Sequence, residues 1–201
     1  MVGRQMTVEQ ILEEILKDRI FYDQSGGGAS FSGGEPLTQP EFLSALLEAC
    51  RDLEIHTAVD TCGYGRWDHL EAVARFTDLF LYDLKIMDDD RHRQVTGVSN
   101  VPILENLRLL GRMHDNIWIR VPIVPGINDS LVQLEALARF AASIPGVQQV
   151  NLLPYHRSGL HKARRIGQSY QLEDTRQPSA EQMEEYTQRF RAFGLQVYRG
   201  G

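Results

Sequence analysis

From Thr7 onward, apolar positions along the chain alternate between two spacings. Ile11, Leu12, Ile15 and Leu16, set among Glu9, Glu13, Glu14 and Lys17, repeat with helical period, and Thr7-Val8-Glu9-Gln10 has the form of a capping box. A short strand flanked by glycines follows. The next helix runs over 39–53, with Phe42, Leu43, Leu46, Leu47 and Cys50 on one face, and 55–61 is the second strand. A helix over 67–76 leads to the strand 78–85, whose apolar run Leu79-Phe80-Leu81-Tyr82 suits a strand buried in a parallel sheet. Asp88 to Arg93 reads as a charged loop. Beyond it the pattern predicts a helix over 101–114, a strand over 116–122, a helix over 131–144, a strand within 147–155, a helix over 179–193 and a last strand over 195–198.

Strands separated by helices of this length imply parallel βαβ units, arranged as a doubly wound sheet or as a barrel. Polar residues favour the barrel. Glu35, Asp60, Asp83, Lys85, Arg120 and His156 all fall near predicted strand carboxyl ends, and a barrel, closed or partial, brings those ends to one mouth. Repeats of this kind normally begin with a strand, whereas a helix opens this chain, so a further strand is expected upstream.

The bulk properties narrow the class. A chain of 201 residues with 42% hydrophobic and 24% charged residues fits one globular domain spanning 1–201. No apolar run nears the roughly 18 residues of a membrane helix, and the start lacks a signal-peptide core, so the cytoplasm is the expected location. A net charge of -6 argues against a nucleic-acid surface; the one basic cluster, His161 to Arg165, is short. Cys50 lies on a helix stripe and reads as core. Cys62, between Thr61 and Gly63, reads as a small buried residue rather than a nucleophile.

Candidate chemistry begins at Ser25 to Leu37, which places five glycines around Ala29-Ser30-Phe31 and ends in Gly33-Gly34-Glu35-Pro36. Glycines beyond a strand end permit positive φ and let a ligand approach bare main chain. Asp60-Thr61 ends the next strand, and Asp83-Leu84-Lys85 sets two charges two residues apart on one face of another. Arg120 is a cation on an apolar strand, and His156 follows Leu152-Leu153-Pro154-Tyr155. An internal Asp83 to Lys85 ion pair and a salt bridge from Arg120 to Asp83 account for the same charges without a ligand. Convergence of acceptors, carboxylates, cations and an imidazole from five strands points instead to a small zwitterionic or polar ligand.

Ser25 to Leu37, Val59-Asp60-Thr61-Cys62-Gly63, Asp83-Leu84-Lys85, Trp118-Ile119-Arg120, Val124 to Asp129 and Leu152 to His156 together resemble the glycyl-radical-enzyme activating enzymes of the radical SAM superfamily. The segment Asp18 to Asp23 is similar to the longer members, which carry a ferredoxin-like insert ahead of this point. The resemblance implies an α/β fold, a partial parallel (β/α) barrel, that binds S-adenosylmethionine beside a 4Fe-4S cluster. Reductive cleavage would yield a 5′-deoxyadenosyl radical that abstracts hydrogen from a glycine of a partner glycyl radical enzyme, with reduced flavodoxin or ferredoxin as electron donor and the activase a monomer. It also implies that Gly33, Gly34 and Glu35 receive the methionyl amino group. Asp60, Thr61 and Asp83 would hold a monovalent cation, and Lys85, Arg120 and His156 would contact the carboxylate and ribose.

The family's cluster loop, Cys-x-x-x-Cys-x-x-Cys after the first strand, has no counterpart here, and Cys50 and Cys62 are too few and wrongly spaced to replace it. The expectation is a C-terminal part of an activase, missing the first strand, with no iron-sulfur ligands and no reductive cleavage by this chain alone. Two other functions fit some of the same residues: a Schiff-base aldolase with Lys85 as nucleophile, and a non-catalytic remnant barrel that binds a partner.

Overall fold

The computed structural model describes residues 4–156 and 175–200. The basic cluster at His161 to Arg165 therefore lies outside the described residues. Six strands form one sheet: β1 (Gly28–Phe31), β2 (His56–Thr61), β3 (Leu79–Asp83), β4 (Ile117–Ile123), β5 (Val147–Pro154) and β6 (Val197–Arg199). Their spatial order is β1-β2-β3-β4-β5-β6, with every neighbouring pair parallel. A doubly wound sheet reverses its order at a switch point. This one never does, which is the order of a barrel, and among the described residues it stays open, with β1 and β6 at its edges.

Alternation along the strands explains how the sheet sorts its residues. On β4, Ile117, Ile119, Val121 and Ile123 are buried, while Trp118, Arg120 and Pro122 between them are half-buried. Val59, Phe80, Tyr82, Val150 and Leu152 extend the buried set across the neighbouring strands and join one core with Leu47, Leu70, Leu107, Leu137 and Phe190 from the helices. Those helices are α3 (Pro40–Asp52), α4 (Trp67–Ala74), α6 (Val101–Leu110), α7 (Leu131–Ala142) and α8 (Ala180–Arg191). They cover one face of the sheet. The opposite face carries Asp60, Asp83 and Arg120, which remain 20% to 25% exposed.

The opening helix α1 (Val8–Leu16) is capped as its sequence predicts: the Thr7 hydroxyl accepts from Gln10 N–H at 3.3 Å, and the Gln10 side chain accepts from Thr7 N–H at 3.0 Å. Leu12 and Ile15 pack on Ala29, Cys50 and Ile55, so Cys50 is core as expected. Two helices depart from the pattern. Arg19–Ser25 forms α2, which closes on Gly26 in the left-handed region. The segment read as a charged loop is instead α5 (Asp89–Thr96), with the Asp88 carboxylate accepting from Arg91 N–H at 2.7 Å and Gly97 ending it at φ +83°. Its polarity hid it, since only His92 is buried there. The usual end signals are nonetheless present: an aspartate N-cap, an Asp89 to Arg93 pair of 2.9 Å four residues apart, and a glycine C-cap.

Candidate functional site

Parallel strands send the loops after their carboxyl ends to one rim. Asp60, Asp83, Lys85 and Arg120 are joined there, Glu35 bonds Thr61, and among the described residues His156 bonds none of them. Arg120 is the hub. It is not at a strand end, as its sequence position suggested, but in the middle of β4, because β4 runs three residues past its pairing with Asp83, the last residue of β3. That register lets the Arg120 guanidinium reach two strands at once. Its Nε donates to Asp83 Oδ1 at 2.9 Å, and its Nη2 bonds both Asp83 and Asp60. Lys85 Nζ lies 3.3 Å from the other Asp83 oxygen. Both the Asp83–Lys85 and Asp83–Arg120 pairs anticipated on structural grounds therefore exist, joined in one half-exposed network.

Glu35 forms a second group. Its carboxylate accepts from the Thr61 hydroxyl at 2.6 Å, from the Cys62 backbone N–H and thiol at 2.9 Å each, and from Leu37 N–H at 3.2 Å. Thr61 follows Asp60, so strand alternation turns its side chain to the helix-covered face, where it is 2% exposed and also accepts from Gly63 N–H at 2.9 Å. Its hydroxyl meets Glu35 rather than Asp60 and Asp83. Gly63 has no freedom to change: at φ +68°, a Cβ there would stand 1.7 Å from the Tyr82 hydroxyl oxygen. His156, just beyond β5, is exposed, and its Nδ1 lies 3.2 Å from Gln177 Nε2.

Gly33 and Gly34 have open space where a side chain would stand, nothing lying within 4 Å of either Cβ position, and Gly33 has φ +127°. The main chain here is bare toward solvent, so an added Cβ would stand in open space rather than strike the protein.

Electrostatics match the geometry. Glu35, Asp60 and Asp83 against Lys85 and Arg120 leave three acids and two bases, a net charge of -1. Burial pushes the Asp60 carboxyl up from its ordinary range; Arg120 opposes this, while the Asp83 and Glu35 carboxylates add to it. A raised carboxyl contributes stability in its protonated form, present below its unfolded pKa and lost as pH rises through the folded value. Asp60→Asn is therefore expected to raise the melting temperature slightly at pH 7 and to lose that advantage as the pH falls through the ordinary carboxylate range, about pH 4. Calorimetric melting at both pH values checks this. The Cys62 thiol is pushed up to about 11, first by burial and then by the Glu35 carboxylate. That fits its reading as a residue that is not a nucleophile.

Two asparagines without a role in the sequence reading hold the rim. Asn128 is 2% exposed; its amide donates to Lys85 O at 2.8 Å and Pro122 O at 2.7 Å, and its oxygen accepts from Val124 N–H at 2.8 Å. It fixes the main chain at Lys85. Asn106, on α6, donates to Gly63 O at 2.8 Å and Gly65 O at 3.0 Å. The Val124 to Asp129 motif held the signal for the first; nothing in the helix pattern marked the second. Asn128→Ala leaves three backbone groups without their partner and is expected to cost about 2 kcal/mol, read as a lower urea midpoint.

The donor set suits S-adenosylmethionine: bare main-chain acceptors for an ammonium, cations for a carboxylate, and an acidic balance for a ligand with net positive charge. It does not suit an iron-sulfur cluster. Among the described residues no group of three or more His, Cys, Asp and Glu side chains is placed to hold a metal ion, Cys50 is sealed in the core and Cys62 is engaged with Glu35. No chemical step on a cluster is assigned to these residues. No helix among the described residues is long and apolar enough to cross a membrane.

Comparison with known proteins gives the lineage. The family model described as the radical SAM superfamily matches residues 2–141. The chain is 40% identical over 203 residues to the trans-4-hydroxy-L-proline dehydratase activating enzyme of Clostridioides difficile, covering 100% of this chain and 67% of that protein. It is 44% identical over 162 residues to the isethionate sulfite-lyase activating enzyme of Oleidesulfovibrio alaskensis, covering 80% of this chain and 52% of that protein. This chain thus spans between about half and two thirds of those curated relatives. In solved structures, a domain of pyruvate-formate lyase-activating enzyme from Bacteroides vulgatus superposes with a TM-score of 0.74 at 35% identity, covering 87% of this chain and 99% of that one. The fold inferred from the rim residues and the family inferred from the motifs are both borne out. The chain belongs to the radical SAM superfamily and, within it, to the activating enzymes of glycyl radical enzymes.

Proposed function

We propose that this chain supplies the S-adenosylmethionine-binding face of an activase that installs a glycyl radical on a partner enzyme. The observation that carries this reading is the charge-balanced network of Asp60, Asp83, Lys85 and Arg120, brought to a net charge of -1 by the nearby Glu35 carboxylate, which directly follows the bare Gly33-Gly34 main chain. S-adenosylmethionine has a sulfonium, an ammonium and a carboxylate, a net charge of +1, and needs such a surface.

In this reading Gly33, Gly34 and the Glu35 segment meet the methionyl amino group. Asp60 and Asp83 hold a monovalent cation near the carboxylate; Thr61, whose hydroxyl is engaged with Glu35 on the other face, is left only its main-chain carbonyl for that site. Lys85 and Arg120 face that carboxylate, and His156 the ribose. Bound there and cleaved by one electron from the whole activase's cluster, S-adenosylmethionine would supply methionine and the carbon radical that takes hydrogen from the partner's glycine. The chain's own part is to orient the ligand: the Asp83 carboxylate keeps Lys85 and Arg120 fixed before it arrives, so little side-chain freedom is lost on binding. The 4Fe-4S cluster and its electron donor, reduced flavodoxin or ferredoxin, belong to the whole activase, which we take to act in the cytoplasm as a monomer.

Calorimetric titration of the chain with S-adenosylmethionine tests this. Saturable binding, weakened about tenfold or more in Asp83→Asn and Lys85→Met, is the expected result. Binding that ignores both substitutions would sink the reading.

A further inference from the structure

The Glu35 carboxylate has no room for a further donor. A carboxylate offers about four lone-pair positions. Here Leu37 N–H and the Thr61 hydroxyl take two on Oε1, and the Cys62 N–H and thiol take two on Oε2. An ammonium could reach this side chain only by displacing one of them. The donors are themselves held: Thr61 accepts from Gly63 N–H, the Gly63 and Gly65 carbonyls are bonded by Asn106, and Gly63 sits against Tyr82, whose hydroxyl donates to Ile103 O at 2.7 Å.

We propose that Cys62, with Thr61, is a positioning residue of the S-adenosylmethionine site, its thiol locking Glu35 so that the adjacent Gly33-Gly34 main chain is presented to the ligand. Glu35 then acts through the loop it anchors, not by touching the amino group, which meets main-chain carbonyls. The proposal rests on the reading of the site given above. It assigns work to a cysteine with no ligand or nucleophile role, and it explains why Glu35 is joined to β2 rather than turned toward the network of Asp60 and Asp83.

The test uses the full chain and four variants: Cys62→Ala, Cys62→Ser, Glu35→Gln, and Glu35→Gln combined with Cys62→Ala. Two readouts are taken, deuterium exchange of the peptide covering residues 32–38 and calorimetric affinity for S-adenosylmethionine. Cys62→Ala is expected to speed exchange in that peptide and to weaken affinity about three- to tenfold, the effect of losing one hydrogen bond to a charged group. Cys62→Ser, which keeps a donor, restores both, and Cys62→Ala has no further effect once Glu35 is glutamine. The lock is overturned if Cys62→Ala binds as the unaltered chain does, if Cys62→Ser is as weak as Cys62→Ala, or if the two losses add in full. Should the unaltered chain bind no S-adenosylmethionine, the functional reading fails and exchange alone judges the lock: serine-rescued acceleration upholds it, and unchanged exchange overturns it.

Discussion

Gly34→Ala is expected to abolish or weaken S-adenosylmethionine binding about tenfold or more while leaving the melting temperature within about 1 °C of the unaltered chain. The two halves of that result have separate causes. No atom lies within 4 Å of the position a Cβ would take, and Gly34 does not have positive φ, so the folded chain accepts alanine without strain. If the ligand's amino end rests on this main chain as proposed, the added methyl crowds it, and a bound ligand must shift or lose its main-chain contact. Gly33→Ala is the contrasting case. Its φ of +127° is a conformation that side chains rarely adopt, so about 1–3 kcal/mol of stability is lost as well. Calorimetric melting and titration of both variants separate a cradle from a turn: equal affinity for Gly34→Ala and the unaltered chain would show that the diglycine serves backbone geometry only.

The second large effect belongs to Arg120. Arg120→Met removes the cation between Asp60 and Asp83 and leaves two partly buried carboxylates side by side with only Lys85 to offset them. Removing the one cation that both carboxylates share is expected to cost about 2–4 kcal/mol at pH 7, somewhat less than a fully buried pair because these side chains keep a fifth to a quarter of their exposure. The sign with pH follows from the charges. Arg120 is what opposes the upward shift of the Asp60 carboxyl, so without it the protonated form of Asp60 is favoured further in the folded chain, and stability present below its unfolded pKa is lost as pH rises through its raised folded value. The deficit of Arg120→Met should therefore shrink between pH 7 and about pH 4, and Asp60→Asn added to it should restore part of the loss at pH 7. Urea unfolding at the two pH values measures both; a deficit that does not change with pH would mean that packing of the arginine stem, not charge, is what was lost.

The sequence made the architecture legible wherever burial imposed a period. The stripe of Leu43, Leu46, Leu47 and Cys50 on α3 and the alternation along β4 are direct imprints of one covered face, and both elements fall where the pattern puts them. Where burial is slight the imprint fades: α5 buries only His92, and α2 buries none of its residues. Residues of the site were legible as types, because charges in apolar strands and glycines at strand ends stand out against a hydrophobic background. Their partners were legible only in part: the pairs of Asp83 with Lys85 and Arg120 were expected, but the reach of Arg120 on to Asp60 follows from strand register, and Glu35 bonds Thr61 and Cys62 across 26 and 27 residues. Side-chain direction within such a turn is set by tertiary packing, so Cys62 read only as a small buried residue and Asn106 as one more polar position on a helix.

The central claim is that S-adenosylmethionine lies on the open face of the sheet, its amino end on Gly33-Gly34 and its carboxylate toward Lys85 and Arg120. A crystal structure of the chain grown with S-adenosylmethionine tests it most directly. The account predicts the ammonium within hydrogen-bond distance of main-chain carbonyls at Gly33-Gly34 with the Glu35 to Cys62 bonds intact. A ligand seated anywhere else, or an ammonium bonded to the Glu35 carboxylate in place of Cys62, would contradict it.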